Sequence, residues 1–186
     1  IVYWQFLKLS SSSNQTVSIN LFIVKIFLVL LFLQLIIGAF VSGMDAGKIY
    51  NTWPLMGVNY FPDDSSFKEF LNLKVFDNPS IVQFIHRNLA YLIIFIYALI
   101  LLKVINTGNQ KLYKPIIVIG LTLVFQIFLG VITILSGVKI LFASLHQINS
   151  ILIILSTLYF LFISKYKRQI NYCLLYTSPS PRDNGR

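Results

Sequence analysis

The stretch NPSIVQFIHRNLAYLIIFIYALILL, residues 78–102, begins with polar residues and continues as an almost uninterrupted apolar run. Such a run is typical of a helix that crosses a bilayer, because a hydrocarbon core of about 30 Å needs roughly 20 helical residues. His86 and Arg87 lie just inside the apolar part, where burying an ionisable side chain is costly. The stretch therefore predicts a transmembrane helix with a functional polar site near one end.

The composition of the whole chain favours the same class of protein. Of its 186 residues, 56% are hydrophobic and 11% are charged, whereas about 25% of the residues in a typical soluble domain are charged. The 15 basic residues outnumber the 6 acidic ones, but they lie in loops between apolar runs, as topology determinants do. No nucleic-acid partner is therefore expected, and the single cysteine, Cys173, offers neither a disulfide framework nor a thiolate metal site.

Four apolar runs are long enough to cross a membrane, and each must be helical because lipid offers the backbone no hydrogen-bond partners. They predict helices at about residues 19–41, 81–105, 114–135 and 140–166. The predicted fold is all-α: one transmembrane four-helix bundle, residues 19–168, built from two helical hairpins. Residues 1–18 are expected to contain the end of a preceding helix and a polar linker. Residues 169–186 form a tail, and its last thirteen residues, 174–186, are expected to be non-native sequence, with a disordered tail as the alternative.

The distribution of lysine and arginine predicts the orientation of the bundle. The loops on one side carry basic residues without acids, whereas the long loop at 43–80 on the other side carries both signs. The positive-inside rule assigns the first side to the cytoplasm, or to the matrix of a mitochondrion. Loop 43–80 is then expected on the outer side, periplasmic or intermembrane, of a multi-pass protein in the bacterial inner (plasma) membrane or the mitochondrial inner membrane.

An internal repeat relates the two predicted hairpins. In the first helix Gln34 is followed four residues later by Gly38, and in the third helix Gln126 is followed by Gly130 at the same spacing. The second helix opens with QFIHRNL and the fourth with ASLHQIN, so each carries a histidine at a matching position. The repeat predicts one hairpin used twice, and chance similarity between apolar helices is the alternative.

The two histidines of the chain, His86 and His146, each lie five or six residues into their predicted helices. These helices run parallel, so at about 1.5 Å per residue both imidazoles are expected at nearly the same depth, within about two turns of the outer surface. A structural zinc site needs four protein ligands and a di-iron carboxylate site needs Glu-x-x-His pairs, and the predicted helices supply neither. Two axial imidazoles in an apolar slot suit a haem iron, and Gly38 and Gly130 can open such a slot. The alternatives are histidines that hydrogen-bond between helices and glycines that allow close helix packing.

The polar residues beside the histidines each have two interpretations. Arg87 is either an anchor at the lipid headgroups or a partner of haem propionates. The four further residues that flank the histidines are Gln83, Asn88, Asn149 and Ser150. Each of them either orients an imidazole or bonds only to backbone.

Three segments together resemble one family of membrane enzymes. They are GAFVSGMDAGKIYNTWPLMG (38–57), NPSIVQFIHR (78–87) and SLHQINS (144–150). The combination is similar to the carboxy-terminal half of the haem A synthase family, and the likeness runs from about residue 20 to residue 165. The loop residues of the first segment make it specific, because membrane packing does not dictate them. The resemblance implies two four-helix bundles, eight spans in all, related by pseudo-symmetry.

The resemblance also implies a function, the oxidation of a ring methyl group of haem O to the formyl group of haem A for terminal cytochrome oxidase. It gives His86 and His146 the positions of the axial ligands of a haem b that passes electrons. Arg87, Gly38 and Gly130 are then expected beside that haem.

By the same resemblance, the catalytic residues are expected outside this chain. The amino-terminal half of the family carries a Glu three residues before a His-Arg pair, and that Glu is tied to the chemistry, whereas this chain has Gln83 at the equivalent position. The substrate haem O is therefore expected in the missing half. The expected partners are membrane lipid, the amino-terminal bundle, haem O synthase, an electron donor and further copies of the chain.

Two other functions share some of these features. A generic b-type cytochrome in quinone-linked electron transfer would use the same two ligands without the loop motif. A non-haem membrane assembly or transport subunit would use the histidines only for packing.

Overall fold

Four long helices make up most of the described chain. The computed structural model describes residues 2, 3, 5, 21–66, 68, 69 and 73–165. The helices are α1 (Leu21–Gly43), α2 (Pro79–Thr107), α3 (Gln110–Leu135) and α4 (Ile140–Lys165). Each is long and apolar enough to cross a membrane, which confirms the predicted all-α four-helix fold. The predicted polar linker and the tail lie outside the described residues.

The start of α2 is two residues earlier than predicted, because Asn78 caps the helix. Its side chain accepts hydrogen bonds from the backbone N–H groups of Ser80 at 3.0 Å and Ile81 at 3.4 Å. Pro79 occupies the first turn, where no N–H donor is needed. The helix ends before Gly108, whose φ of 62° is a left-handed conformation that glycine adopts without strain.

The start of α3 is also earlier than predicted, at Gln110 instead of about residue 114. The side chain of Asn109 accepts a hydrogen bond from the backbone N–H of Lys111 at 3.0 Å and so caps the helix. Pro115 lies inside the helix, where its missing N–H removes one backbone hydrogen bond without ending the helix.

The helices close into a bundle in which neighbours along the chain are neighbours in space. The most extensive packing lies within the hairpins α1–α2 and α3–α4, and smaller contacts of α1 with α4 and of α2 with α3 complete the ring. The apolar core fills the half of the bundle near the α2–α3 connection, and it includes Phe27, Ile100 and Phe160. The other half contains both histidines and the buried polar side chains of Gln83, Arg87 and Asn149.

Tyr97 fixes the contact between α2 and α3. Its hydroxyl donates to the carbonyl of Ile116 at 3.0 Å. A methyl group at Gly120 would lie 3.0 Å from Tyr97 Cζ, so the ring fits only against a glycine. Phe27 of α1 packs near the same ring, with centroids 6.4 Å apart.

The long loop between α1 and α2 contacts both hairpins at one end of the bundle. It contains short 3₁₀ helices at Ala46–Lys48 and Leu73–Asp77. A methyl group at Gly47 would lie 3.1 Å from Cγ2 of Val138, in the turn between α3 and α4. Val138 has a φ of 59°, which is unfavourable for a β-branched residue. The turn is therefore strained where it meets the loop.

Candidate functional site

His86 in α2 packs against Gln34 and Gly38 of α1. The amide nitrogen of Gln34 lies 3.3 Å from His86 Nε2 and donates to the backbone carbonyl of His86 at 3.0 Å. A methyl group at Gly38 would lie 3.2 Å from His86 Cε1, closer than ordinary van der Waals contact. The first helix therefore presents an amide to Nε2 and a bare backbone to Cε1.

His146 in α4 has the same contacts with α3. The amide nitrogen of Gln126 lies 3.2 Å from His146 Nε2, and a methyl group at Gly130 would lie 3.1 Å from His146 Cε1. The Gln-x3-Gly repeat of the sequence therefore makes the same contacts with a histidine in both hairpins. Both imidazoles are partly buried.

The glutamine amides define the tautomer of each imidazole. An amide N–H can only donate, so the Nε2 atom beside it must be the unprotonated nitrogen with an available lone pair. In His146 the Nδ1–H donates to the backbone carbonyl of Gln126 at 3.2 Å, which requires the same tautomer. A neutral imidazole with a lone pair on Nε2 is the form that binds a metal ion.

The two histidines suit a haem iron better than a metal ion held by protein side chains alone. Within the described part of the chain, no group of three or more His, Cys, Asp or Glu side chains could hold a metal ion. A haem iron takes only one or two axial ligands from the protein. Each imidazole lies directly against a glycine, where a Cβ would crowd it, and Nδ1 of His86 is buried without a hydrogen-bond partner among the described residues. The residues present therefore fit a pair of axial ligands.

Arg87 lies beneath the long loop and is bonded to its backbone. Its side chain is 8% exposed, with Nη1 donating to the carbonyl of Leu55 at 3.2 Å and Nη2 to that of Tyr50 at 3.1 Å. This burial removes the guanidinium from the lipid headgroups, which argues against the anchor interpretation. Its Nε is buried and has no partner among the described residues.

Tyr50 connects the long loop to the start of α2. Its backbone carbonyl also accepts from Gln83 Nε2 at 3.0 Å, and its hydroxyl donates to Asp64, which accepts from Ser80 Oγ at 2.6 Å. Burial raises the pKa of Tyr50, and the bond to Asp64 raises it further. Burial alone would raise the pKa of Asp64, but the hydrogen bonds from Ser80, Ser65 and Tyr50 outweigh it and lower that pKa.

Of the four polar residues that flank the histidines, Asn149 alone reaches an imidazole network within the described chain. Its Nδ2 donates to Gln126 Oε1 at 2.7 Å, and Gln126 in turn contacts His146. The other three side chains bond to backbone carbonyls and are Gln83, Asn88 and Ser150. The structure therefore supports the orienting role for Asn149 and the backbone role for Gln83 and Ser150, whereas Asn88 also accepts from the Tyr60 hydroxyl.

Two features of the site were not assigned from the sequence. Gln34 and Gln126 were noticed as parts of a repeat, but their contact with the histidines was not inferred, although the matched spacing indicated it. The carbonyl groups of Tyr50 and Leu55 cannot be recognised as hydrogen-bond acceptors of the site from the sequence, because every residue has a backbone carbonyl.

Residues 1–158 match the family model COX15-CtaA, cytochrome oxidase assembly protein. The chain belongs to this family. The chain is similar to proteins named haem A synthase from Pelagibacter ubique (strain HTCC1062), Wolbachia pipientis wMel and Wolbachia sp. subsp. Brugia malayi (strain TRS). It is 43%, 41% and 44% identical to them, respectively, over 89%, 83% and 74% of its length. No solved structure matches it.

The chain spans less than half the length of these relatives, namely 48%, 43% and 39% of them. The resemblance to haem A synthases that the three sequence segments indicate is confirmed. Together with the four membrane-length helices, the family identifies the chain as a multi-pass membrane protein in a lipid environment.

Proposed function

We propose that the chain is the electron-transferring, haem-binding part of a haem A synthase, which converts haem O to haem A for cytochrome oxidase. The observation that carries the proposal is the pair of imidazoles, each with Nε2 beside a glutamine amide and Cε1 against a glycine. The relatives named haem A synthase and the family of cytochrome oxidase assembly proteins support it.

In this proposal His86 and His146 would hold the iron of haem b through their Nε2 atoms, in place of the glutamine amides that contact these atoms in this structure. A haem held by two imidazoles supplies a one-electron redox couple without an open coordination site, so the proposed role is to relay electrons. Gly38 and Gly130 keep side chains away from the imidazoles. The unpaired Nε of Arg87 supplies a charged donor for a propionate.

The oxidation itself is proposed to take place in the part of the relatives that this chain does not span. Gln83, which stands where the other half of the family carries a Glu, donates to the Tyr50 carbonyl and has no carboxylate for acid–base chemistry. Substrate haem O, haem O synthase, the electron donor and further copies of the chain are proposed partners of the whole protein. The loop between α1 and α2 is proposed to face the outer side of a bacterial or mitochondrial inner membrane, on the distribution of basic residues.

Absorption and electron paramagnetic resonance spectra of the purified protein test the haem assignment. The wild type is expected to show a six-coordinate, low-spin haem, and His86→Ala and His146→Ala are each expected to remove that spectrum. Asn88→Ala is the control, because Asn88 follows His86 closely but bonds to the carbonyl of Phe84 and to Tyr60. A colourless wild-type protein contradicts the proposal and favours a non-haem assembly or transport subunit.

A second experiment separates haem A synthesis from quinone-linked electron transfer by a b-type cytochrome. The intact gene that encodes this chain is expressed in a strain that lacks haem A synthase, and the haem extracted from its membranes is separated by chromatography. Restored haem A is expected. A haem-containing protein that is reduced by quinol but restores no haem A supports the cytochrome alternative.

A further inference from the structure

The second hairpin holds its histidine through a chain of hydrogen bonds. The side chain of Asn149 donates to Gln126 Oε1 at 2.7 Å and to the carbonyl of Thr122 at 2.9 Å. Gln126 contacts both nitrogens of His146, Nε2 through its amide at 3.2 Å and Nδ1 through its backbone carbonyl at 3.2 Å. Because Asn149 is 4% exposed, this network is shielded from water. It fixes both the orientation of the Gln126 amide and the tautomer of His146.

Among the described residues, the first hairpin has no equivalent network. Nδ1 of His86 and Oε1 of Gln34 are both buried without partners in the described part of the chain. The amide nitrogen of Gln34 contacts both Nε2 and the backbone carbonyl of His86. The repeat explains the difference: the residue three positions after His86 is Leu89, which packs on the apolar core, where the second hairpin has Asn149. A leucine cannot orient Gln34.

The position of His86 is coupled to the long loop instead. Gln83 and Arg87, one turn before and one residue after it, bond to the carbonyl of Tyr50, and Arg87 also bonds to that of Leu55. Any displacement of the loop therefore acts on the segment of α2 that carries His86. The bonds that hold His146 all lie within α3 and α4.

We propose that the two axial imidazoles are inequivalent: His146 is the pre-oriented ligand, fixed by Gln126 and Asn149 as positioning residues, and His86 is the exchangeable one. The proposal rests on the proposed haem-binding function. An imidazole that is already oriented loses less conformational freedom when it binds iron. A hydrogen bond from Nδ1–H to a carbonyl also makes Nε2 a more basic ligand. His86 has neither advantage, so it dissociates from the iron first.

Two cavity variants, His86→Gly and His146→Gly, test the inequivalence in the full chain. The His86→Gly protein is expected to retain haem in a five-coordinate ferrous form that binds carbon monoxide. The His146→Gly protein is expected to retain about tenfold less haem, the equivalent of one to two hydrogen bonds. Equal loss of haem, or greater loss from the His86→Gly protein, overturns the proposal. A colourless wild type overturns the proposed function as well. A coloured wild type whose two variants lose haem equally overturns only the inequivalence of the histidines.

A third variant keeps both ligands and removes only the support of His146. Asn149→Leu is expected to speed the transfer of haem to apomyoglobin about tenfold, because it removes the hydrogen bond that orients the Gln126 side chain and the bond that holds Asn149 to the carbonyl of Thr122. Asn88→Leu is the matched control and is expected to transfer haem at the wild-type rate. If the two variants release haem equally fast, Asn149 has no positioning role, whether or not the glycine variants fold.

A spectroscopic measurement separates positioning from a general loss of stability. In the five-coordinate ferrous His86→Gly protein, resonance Raman spectroscopy reports the iron–histidine stretching frequency of His146. Adding Asn149→Leu is expected to lower that frequency, because the Gln126 side chain beside the imidazole loses its bond to Asn149 and the ring can tilt away from its fixed orientation. An unchanged frequency overturns the positioning role.

Discussion

Replacing Gly130 by alanine tests whether the surface of α3 is shaped for the imidazole of His146. The added Cβ would lie 3.1 Å from His146 Cε1 and 3.5 Å from Nδ1. The first distance requires the ring to move by a few tenths of an ångström. The ring cannot move freely, because both of its nitrogens contact Gln126. The substitution therefore acts as overpacking, which costs about 1–3 kcal/mol.

Alanine also has a higher helix propensity than glycine, by about 1 kcal/mol, and this gain opposes the overpacking. The net loss of folding free energy is then up to about 2 kcal/mol. Because the displaced ring must return to its place to bind iron, a cost of that size lowers the haem affinity by up to about 30-fold. Gly43→Ala is the control, because Gly43 ends α1 and a methyl group there meets nothing within 4 Å. We expect Gly43→Ala to leave haem binding unchanged.

Titration of the haem-free protein with haem, followed by absorbance, measures the affinity of each variant. Circular dichroism melting of the same samples shows whether the bundle remains folded. Gly38→Ala provides a second comparison: its methyl group would lie 3.2 Å from His86 Cε1, but the His86 ring is less restrained and can yield. We expect a smaller loss there. If Gly130→Ala binds haem as tightly as Gly43→Ala, the reasoning from the close approach to His146 is refuted.

Three further substitutions test other parts of the structure. Arg87→Lys removes the planar fork that reaches two loop carbonyls, and each bond from a charged donor is worth about 1.5–3 kcal/mol. Limited proteolysis is expected to cut this loop faster, and an unchanged digestion rate would contradict the role of Arg87. Gly120→Ala is expected to displace Tyr97 and, after the gain of about 1 kcal/mol in helix propensity, to lower the free energy of unfolding by up to about 2 kcal/mol, whereas wild-type melting would show that the ring yields without cost. The pKa of Asp64 is lowered in the folded protein, so its ionised form stabilises the loop. This stabilisation is complete above the ordinary pKa of 3.8 and is lost as the pH falls through the lower pKa of the folded state. Hydrogen exchange of the loop amides is expected to accelerate in that acid range in the wild type but not in Asp64→Asn, and equal acid sensitivity of the two proteins would rule out this cause.

The helices and the pairing of the histidines could be predicted from the sequence because they depend on apolar length and chain order. Four long apolar runs allow few arrangements in lipid, and a histidine at the same position of two parallel helices must lie at a similar depth. The helix starts were less accurate, because Asn78 and Asn109 cap earlier turns whose residues are not apolar.

The environment of Arg87 could not be predicted, because its partners are backbone carbonyls 32 and 37 residues away. Side-chain composition says nothing about where a loop directs its carbonyl groups. The difference between the two histidines was hidden for another reason. It depends on which polar atoms have hydrogen-bond partners. The difference between Leu89 and Asn149 can be interpreted only when the contacts of Gln34 and Gln126 are known.

The contact between Arg87 and the long loop also bears on how the protein is made. Synthesis proceeds from the amino terminus, so Tyr50 and Leu55, whose carbonyl groups receive the guanidinium, exist before Arg87 leaves the ribosome. A charged side chain that enters an apolar environment without partners is strongly disfavoured. The acceptor carbonyls are therefore synthesised before the guanidinium that they bind. Insertion of α2 into the membrane need not wait for the second hairpin.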